Sequence, residues 1–564
     1  MSPREALKTY FGYDDFRPLQ SEIIDSVLAG KDTLALMPTG GGKSICFQVP
    51  TLVKAHDNPD KRLCLVITPL IALMRDQVAN LQARGIHAAA VYTGMSWDKQ
   101  RVALDNCLYG PYHFLYCSPE RLESEEFRKR LKDLPIGLIA VDEAHCISQW
   151  GYDFRPSYLN IAAVRALLPD VPVLALTATA TPETVEDIQD KLGFREHNVL
   201  KKSFHRDNLT YVVRRTINKD EQVAHILSKV PGSAIVYVRN RKRAQELAEF
   251  LQTDYYHAGL TTKERNERQQ AWTEGKTRVI VATNAFGMGI DKPDVRLVIH
   301  YDLPNTLESY YQEAGRAGRD GQTAYAVLLY NEAEDKAKAR KRIVDNYPPK
   351  EFVESVYHKT MDFLQIGAGS GLGHRFMLHM DQLCHVMKLP ILQTYSALHI
   401  LTQAGYIDFE EEHETQPRVQ IHVPRHQLGE YNLSYEQAEL LDMLMRSYTG
   451  IYTDLQYVRE ADNEETHALL VSLAQRGIIT YIPRSIGCSL TMTNERQTEI
   501  YLSPAIYEER QARYISKLKA MVEYADQTQF CREQVLLAYF GETTALPCGH
   551  CDVCLDIDHR IMAE

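Results

Sequence analysis

The run Met37-Pro38-Thr39-Gly40-Gly41-Gly42-Lys43-Ser44 constrains this chain more than any other stretch of it. It follows the apolar run Thr33–Met37 and precedes an amphipathic segment, so it is predicted to lie between a strand and a helix. Consecutive glycines let backbone N–H groups close around an anion, and the N-terminus of the following helix adds partial positive charge. Those are the requirements of a triphosphate-binding loop. Thr39, Gly40, Gly41 and Gly42 would form the cradle, Lys43 would reach the β- and γ-phosphates, and the Ser44 hydroxyl would bind Mg²⁺. The strict pattern wants glycine where Met37 stands; the three glycines and the strand–loop–helix context outweigh that departure.

Such a site needs an acidic partner, and the apolar strand Leu138–Val141 ends in one, Asp142-Glu143-Ala144-His145. Carboxylates at the end of a buried strand are costly without a counter-ion. Mg²⁺ would supply it, with Asp142 on the metal and Glu143 as the base polarising an attacking water. Further apolar runs occur at Leu63–Ile67, Phe114–Tyr116 and Val173–Leu176, then at Ala234–Val238, Val279–Ala282, Leu297–Tyr301 and Tyr325–Leu329. Strands spaced by helical stretches predict an α/β fold with parallel sheets, and the polar motifs directly follow the strands, where open α/β sheets bind ligands. The polar segment Arg206–Lys219 carries no motif, so we place a boundary there and expect two α/β domains with a ligand between them.

The second domain ends in Tyr310-Tyr-Gln-Glu-Ala-Gly-Arg316-Ala-Gly-Arg319-Asp-Gly321. Arg316 and Arg319, three residues apart, are expected on one helical face. If the two halves meet, these arginines reach a γ-phosphate held by the first. Seven cysteines (Cys46, Cys64, Cys107, Cys117, Cys146, Cys384 and Cys488) are scattered singly and read as reduced core residues. Cys531, Cys548, Cys551 and Cys554 have instead the spacing of a tetrahedral thiolate site for Zn²⁺, structural in role because it leaves no position for water. His550 lies within the knuckle as an alternative ligand.

Jointly these motifs resemble a superfamily 2 helicase, specifically a RecQ-type DNA helicase, over roughly three-fifths of the chain. Phe11-Gly12-Tyr13 and Phe16-Arg17-Pro18-Leu19-Gln20 match the family's N-terminal signature, Thr39–Ser44 its ATP-binding loop, and Asp142–His145 its DEAH box. Ser148–Pro156 resembles its aromatic-rich loop, Thr177–Thr181 its motif III, Ala285–Asp291 its motif V and Gln312–Arg319 its motif VI. The resemblance implies two tandem RecA-like domains, 1–206 and 207–347, with ATP and Mg²⁺ in their cleft. It implies that Gln20 reads the adenine edge, that Arg17 and Tyr13 stack on the base, and that Gly289 and Asp291 belong to the nucleotide site. Trp150, Phe154 and Arg155 would contact single-stranded DNA and relay its binding to Glu143 and His145. Arg75, Arg121, Arg239, Asn240 and Asn284 match positions that touch the strand.

The family further implies 3′ to 5′ translocation and unwinding of forked or duplex DNA in repair, recombination or replication. The motor motifs alone leave a duplex translocase, an RNA helicase and a non-catalytic annealing scaffold as alternatives. The aromatic loop argues for DNA. Lys43, Asp142, Glu143, Arg316 and Arg319, all present, argue for catalysis.

About 200 residues separate Tyr330 from Cys531, which departs from the family's usual order. Two similar units are expected there, 348–430 and 431–502, ahead of a helical zinc-binding element, 503–564. Each has a leucine-rich helix, a glycine and a β pair, the order of a winged helix: SALHILTQAGYIDF with RVQIHV, and HALLVSLAQRGIITYI with CSLTM. The first candidate wing tip, 410–414, is acidic and would repel phosphates; the second, 481–487, has one cation and apolar residues suited to wedging at a base pair. The net charge of −11, from 63 Lys and Arg against 74 Asp and Glu, excludes a global positive field, so DNA contacts must be local. No apolar run approaches the ~18 residues of a membrane span, and the N-terminus lacks a signal-peptide pattern. The expectation is a soluble cytoplasmic monomer with no membrane partner, nucleoid-associated in a bacterium.

Overall fold

A computed structural model describes the chain apart from residues 39, 93–94, 152, 288–291, 416, 449, 454–455, 459–463, 483–484, 544–545 and 556–564. It consists of two compact units, Met1–Ala337 with Ser516–Glu564, and Lys338–Ile515. Among the described residues no helix is long and apolar enough to cross a membrane.

The first unit contains two parallel sheets. Strands β1 (Thr33–Leu36), β2 (Leu63–Ile67), β3 (Ala88–Val91), β4 (Phe114–Cys117), β5 (Ile136–Val141), β6 (Val173–Thr177) and β7 (Val199–Lys201) form one, in the order β3-β4-β2-β5-β6-β1-β7. Helices cover both faces, which is why β2, β4, β5 and β6 are buried along their whole lengths and read as unbroken apolar runs. The order sets β5, β6 and β1 side by side. The segments that follow them, starting at Asp142, Ala178 and Met37, therefore open on one edge of the sheet, where the site is built.

The second sheet contains β8 (Leu209–Arg215), β9 (Ser233–Tyr237), β10 (Asp254–Tyr256), β11 (Val279–Ala282), β12 (Val295–His300) and β13 (Ala324–Tyr330), ordered β10-β11-β9-β12-β13-β8. The polar segment Arg206–Lys219, read from sequence as a motif-free boundary, thus contains an edge strand. It pairs with β13 from Leu209↔Ala324 to Arg215↔Tyr330. Its amphipathic alternation hid it: Leu209, Tyr211 and Val213 turn into the core while Val212 and Arg214 stay half-exposed. The core they enter also holds Met521, Tyr524, Leu536, Leu537 and Phe540 from the helices Glu508–Asp526 and Arg532–Tyr539.

The second unit corrects the expected hairpins. Helix Lys350–Phe363, β14 (Arg375–Leu378), helices Met380–Met387 and Ile391–Gln403, and β15 (Ile407–Thr415) follow in chain order. Strand β15 does not pair with β16 (Arg418–Ile421). Its partner is β19 (Ser485–Met492), in a sheet ordered β14-β19-β15. Strand β16 instead pairs with β17 (Gln456–Tyr457) and β18 (Ile479–Ile482). One α+β body is therefore inserted at the wing of another, rather than following it. The physical reason is register. Ile407 and Phe409 match Leu490 and Met492 on one buried face, whereas Val419 and Ile421 belong to a separate core with Leu441, Leu444, Leu470 and Leu473. The favoured wing tip thereby becomes the return junction of the insert; its Pro483 and Arg484 lie outside the described residues, as do the side chains of 412–415 and 485–486. In the acidic tip, Glu410 pairs with Arg375 and Glu411 with His399.

Because Thr415 faces Ser485 across the ladder, the insert leaves and returns at one point. Replacing 416–484 by Asn-Gly is expected to close β15 and β19 as a two-residue hairpin and leave the rest folded. Thermal unfolding followed by circular dichroism checks this; loss of the cooperative transition would mean that the outer body depends on the insert.

Candidate active site and metal centre

Strand β1 continues through the bond from Met37 N–H to the Thr177 carbonyl, 3.1 Å, and the loop then turns on Gly41 N–H to Pro38 O, 3.0 Å. Gly40 and Gly42 both adopt φ +78°, open to glycine and strained for other residues. Space makes the same demand: a Cβ on Gly42 would stand 2.4 Å from Gln20 Nε2, and one on Gly40 3.2 Å from Arg319 Cδ. Helix Ile45–Asp57 begins directly after Ser44, and its first N–H groups close back onto the loop: Ile45 N donates to Gly42 O at 3.1 Å, Cys46 N to Lys43 O at 3.1 Å and Phe47 N to Ser44 O at 3.2 Å. Thr39 lies outside the described residues, as do Gly289 and Asp291.

Gln20, 3% exposed, is committed to the loop. Its Nε2 donates to Gly42 O at 3.0 Å and Gly41 O at 3.4 Å, and its Oε1 accepts from Arg17 N at 2.9 Å. Arg17 Nη1 donates to Gly40 O at 2.6 Å. The N-terminal signature therefore grips the glycine loop itself. Tyr13, half-exposed, borders the same cavity.

Across the edge of the sheet stands the acidic pair. Asp142 N continues the ladder to Ile67 O at 2.9 Å, and Tyr158 Oη donates to the Asp142 carbonyl at 2.9 Å from a buried position. Glu143 has φ +48°, a left-handed conformation in a residue other than glycine, held by the turn Ala144–Ile147. Burial, with the neighbouring Glu143 carboxylate, pushes Asp142 up to about 6; Lys43 pulls the other way. Glu143 Oε2 is buried without a hydrogen bond; His145 Nδ1 is 3.4 Å away but points to Thr177 Oγ1 at 2.9 Å. Burial holds His145 below the ordinary imidazole range, so it sits neutral between β5 and β6. A raised buried carboxylate beside an orphaned one, with the Ser44 hydroxyl on the same cavity, is a donor set that fits a hard divalent cation.

The far wall comes from the second sheet. A cavity of about 680 Å³ is bounded by Lys43, Asp142 and Glu143 on one side and by Gly287, Arg316 and Arg319 on the other. The expected helical face for the two arginines is corrected. Helix Leu307–Ala314 stops at Gly315, and both arginines sit in the turns that follow, because Gly315 and Gly318 (φ +64°) end the helix. Arg316, 6% exposed, donates to the Gly287 carbonyl, where even a Cβ would collide with it. Arg319 crosses the cleft, its side-chain carbons lying over Gly40. Gln312 and Tyr158 are functional candidates that sequence reasoning did not single out. Gln312 lines the cavity and stood within the motif VI run; Tyr158 carries no local signal.

The candidate strand contacts are dispersed. Trp150 is 44% exposed and Phe154 half-buried, while Arg155 pairs with Asp153 at 3.1 Å. Arg75 donates to Tyr92 Oη at 2.7 Å, Arg121 to Gln100 Oε1 at 2.7 Å and Arg239 to Asn305 Oδ1 at 2.8 Å. Asn240 caps the helix Arg241–Leu251 through Arg243 N, and Asn284 is exposed.

The four cysteine sulfurs at 531, 548, 551 and 554 lie within 4.8 Å of one another. Backbone N–H groups of Arg532, Cys548, Cys551 and Cys554 point at these sulfurs from 3.3–3.5 Å, the pattern that steadies metal-bound thiolates. This geometry fits tetrahedral Zn²⁺. His550 faces Thr210 Oγ1 at 3.2 Å, on β8. Beside the cluster, Arg532 and Asp552 form a buried pair at 3.0 Å, and Asp552 accepts from Val213 N at 3.1 Å, sealing the edge of β8.

The DEAD/DEAH box helicase family matches residues 17–188, the helicase conserved C-terminal domain residues 218–321, and the RecQ zinc-binding family residues 492–555. The chain is similar to the ATP-dependent DNA helicase RecQ of Bacillus subtilis, 44% identical over 333 residues, covering 58% of this chain and 55% of that protein. It is likewise similar to the ATP-dependent DNA helicase RecQ of Pasteurella multocida, 41% identical over 336 residues, covering 58% and 52%. The chain thus spans about half the length of these curated relatives. Its fold resembles the crystal structure of the DUF1998 helicase MrfA bound to DNA, with TM-score 0.51 at 19% identity over 59% of this chain and 48% of that one. Two parallel-sheet lobes, an ATP-type loop facing arginines across a cleft, and a four-thiolate element make this chain a member of the RecQ-type superfamily 2 helicases.

Proposed function

We propose that the chain is an ATP- and Mg²⁺-dependent DNA helicase that moves along single-stranded DNA, 3′ to 5′, and unwinds forked or duplex DNA as a cytoplasmic or nucleoid-associated monomer. The observation that carries this reading is Arg319 lying over Gly40, a cation from one lobe against the phosphate loop of the other.

In this reading the loop amides and Lys43 bind the triphosphate, and Tyr13 and Arg17 hold the base end. Mg²⁺, held by Ser44 and Asp142, would neutralise phosphate charge and orient the β- and γ-oxygens. Glu143 Oε2, buried and without a hydrogen bond, takes a proton from the attacking water. Arg319 and Arg316 stabilise charge gathering on the transferring phosphoryl group. Loss of that group removes what holds Arg319 to the loop, so the lobes part and the strand is released on one side. Trp150 and Phe154 supply stacking faces of about 1–3 kcal/mol per base, close in the chain to His145.

The test is ATPase stimulation by single-stranded DNA against RNA, with strand displacement on a 3′-tailed fork. Glu143→Gln is expected to lower ATP turnover by about 10²–10⁴-fold with ATP and DNA binding retained. Normal turnover in that variant, or stimulation by RNA alone, would overturn the assignment.

A further inference from the structure

Helix Glu508–Asp526 delivers Lys517 to a junction of three segments. Its Nζ donates to the main-chain carbonyl of Trp150 at 2.5 Å and to Glu308 Oε1 at 2.8 Å. Trp150 belongs to the loop that follows β5 of the first sheet and its Asp142–His145 turn. Glu308 lies in the first turn of Leu307–Ala314, the helix that delivers Arg316 and Arg319 in the second. Glu308 has only 3% of its side chain exposed, and Tyr539 of the zinc element lies against it. Its charge is felt at His145. None of the nucleotide or strand-binding motifs includes Lys517 or Glu308.

Building on the helicase reading above, we propose that Lys517 is a positioning residue that ties the placement of the aromatic loop to that of the arginine-bearing turn. A carboxylate this deeply buried needs a cation close by, and an ammonium has three donors of which these bonds use two. The bond to the loop goes to a carbonyl, not to the indole, so the Trp150 ring stays 44% exposed while its backbone is held. A base stacking on that ring displaces the backbone. The ammonium then follows the loop and leaves Glu308, or stays and loses the carbonyl. Following the loop strands a buried charge at the head of the arginine helix, which relieves it by shifting; staying leaves the loop untied. Packed junctions answer such displacements in discrete steps, not by stretching. DNA arriving at Trp150 is thereby registered at Arg319 through the zinc element, a path additional to the short one along the chain to Glu143 and His145.

The experiment uses the full chain and steady-state ATPase with and without a saturating single-stranded oligonucleotide. The readouts are the kcat ratio, the KM for ATP, and oligonucleotide affinity by fluorescence anisotropy. Lys517→Met and the double variant Lys517→Met/Glu308→Met are compared, because the second removes both charges and strands neither. The double variant is expected to keep the DNA-free kcat and the KM within about twofold, and both variants to keep DNA affinity within about threefold, while DNA stimulation falls at least about tenfold in each. Stimulation within about twofold of wild type, in whichever variant folds, overturns the proposal. So does recovery in the double variant of what the single variant lost, since the defect would then be an unpaired Glu308. A wild-type chain whose ATPase ignores DNA would overturn the helicase reading itself, a result separate from these.

Discussion

Arg319→Ala is expected to lower kcat for ATP by about 10³–10⁵-fold, the range spanned by arginines that reach a transferring phosphoryl group from a second lobe. The geometry singles out this arginine. Arg316 donates to the Gly287 carbonyl and is 6% exposed, so its first task is to hold the motif V segment against the turn. Arg319 alone lies over the phosphate loop, at Gly40. Removing it leaves the loop, Lys43 and the acidic pair intact, so ATP affinity is expected to stay within about tenfold while turnover collapses, the signature of an interaction made chiefly in the transition state. Arg319→Lys is expected to recover only part of the loss, since an ammonium cannot offer a planar pair of donors. Single-turnover hydrolysis with fluorescent-nucleotide binding separates the effects. Equal losses in affinity and turnover would mean that Arg319 serves binding alone.

What the sequence disclosed and what it hid divide along physical lines. The phosphate loop and the acidic strand were legible because each is a local device: glycines at φ +78° and carboxylates at a strand end need only their neighbours. The two-sheet architecture was legible because strands buried on both faces appear as plain apolar runs. Strand β8 was not, because an edge strand shows only one apolar face and Arg214–Arg215 read as linker. The exchange between β15 and β19 was not, because strand pairing across about 70 residues leaves no local mark and both candidate hairpins had acceptable alternation. The helical placement of Arg316 and Arg319 failed for a local reason that was available, Gly315 and Gly318. Gln20 illustrates a different gap. Its type suits an adenine edge, while its contacts with the Gly41 and Gly42 carbonyls arise only from the tertiary approach of residue 20 to the loop, which no local pattern marks. Lys517, about 210 residues from the helix it meets, had no sequence signal.

Loss of the metal from the cysteine cluster is expected to do more than unfold a terminal element. Structural Zn²⁺ sites carry apparent binding free energies of about 10–16 kcal/mol at neutral pH, most of it realised as folding. Here the folded element also fixes the connection between the two lobes. Lys201 Nζ donates to Phe540 O at 2.9 Å, Phe204 N to Glu542 Oε1 at 3.0 Å and Arg206 N to Glu533 Oε1 at 2.9 Å. The Phe204 ring packs on Phe540 with centroids 4.7 Å apart. Three anchor points along 201–206 thus depend on helix Arg532–Tyr539 and the residues directly after it, and the buried Arg532–Asp552 pair ties that helix to the knuckle. Cys551, fully buried, is the ligand whose loss water can least repair. Cys551→Ser, or stripping zinc with an organomercurial thiol reagent that leaves Mg²⁺ in place, is therefore expected to split thermal unfolding into separate steps for the two lobes. DNA-stimulated ATP turnover should fall at least about a hundredfold as Arg319 loses its place over Gly40. Asp552→Asn, which keeps all four sulfurs but leaves Arg532 without its carboxylate partner, should cost about 3–5 kcal/mol and move the system the same way with zinc still bound. Calorimetry with zinc quantified in the same samples decides it. A single unchanged transition with full ATPase after zinc release would show that the lobes are held by their own interface and that the thiolate cluster supports only its own fold.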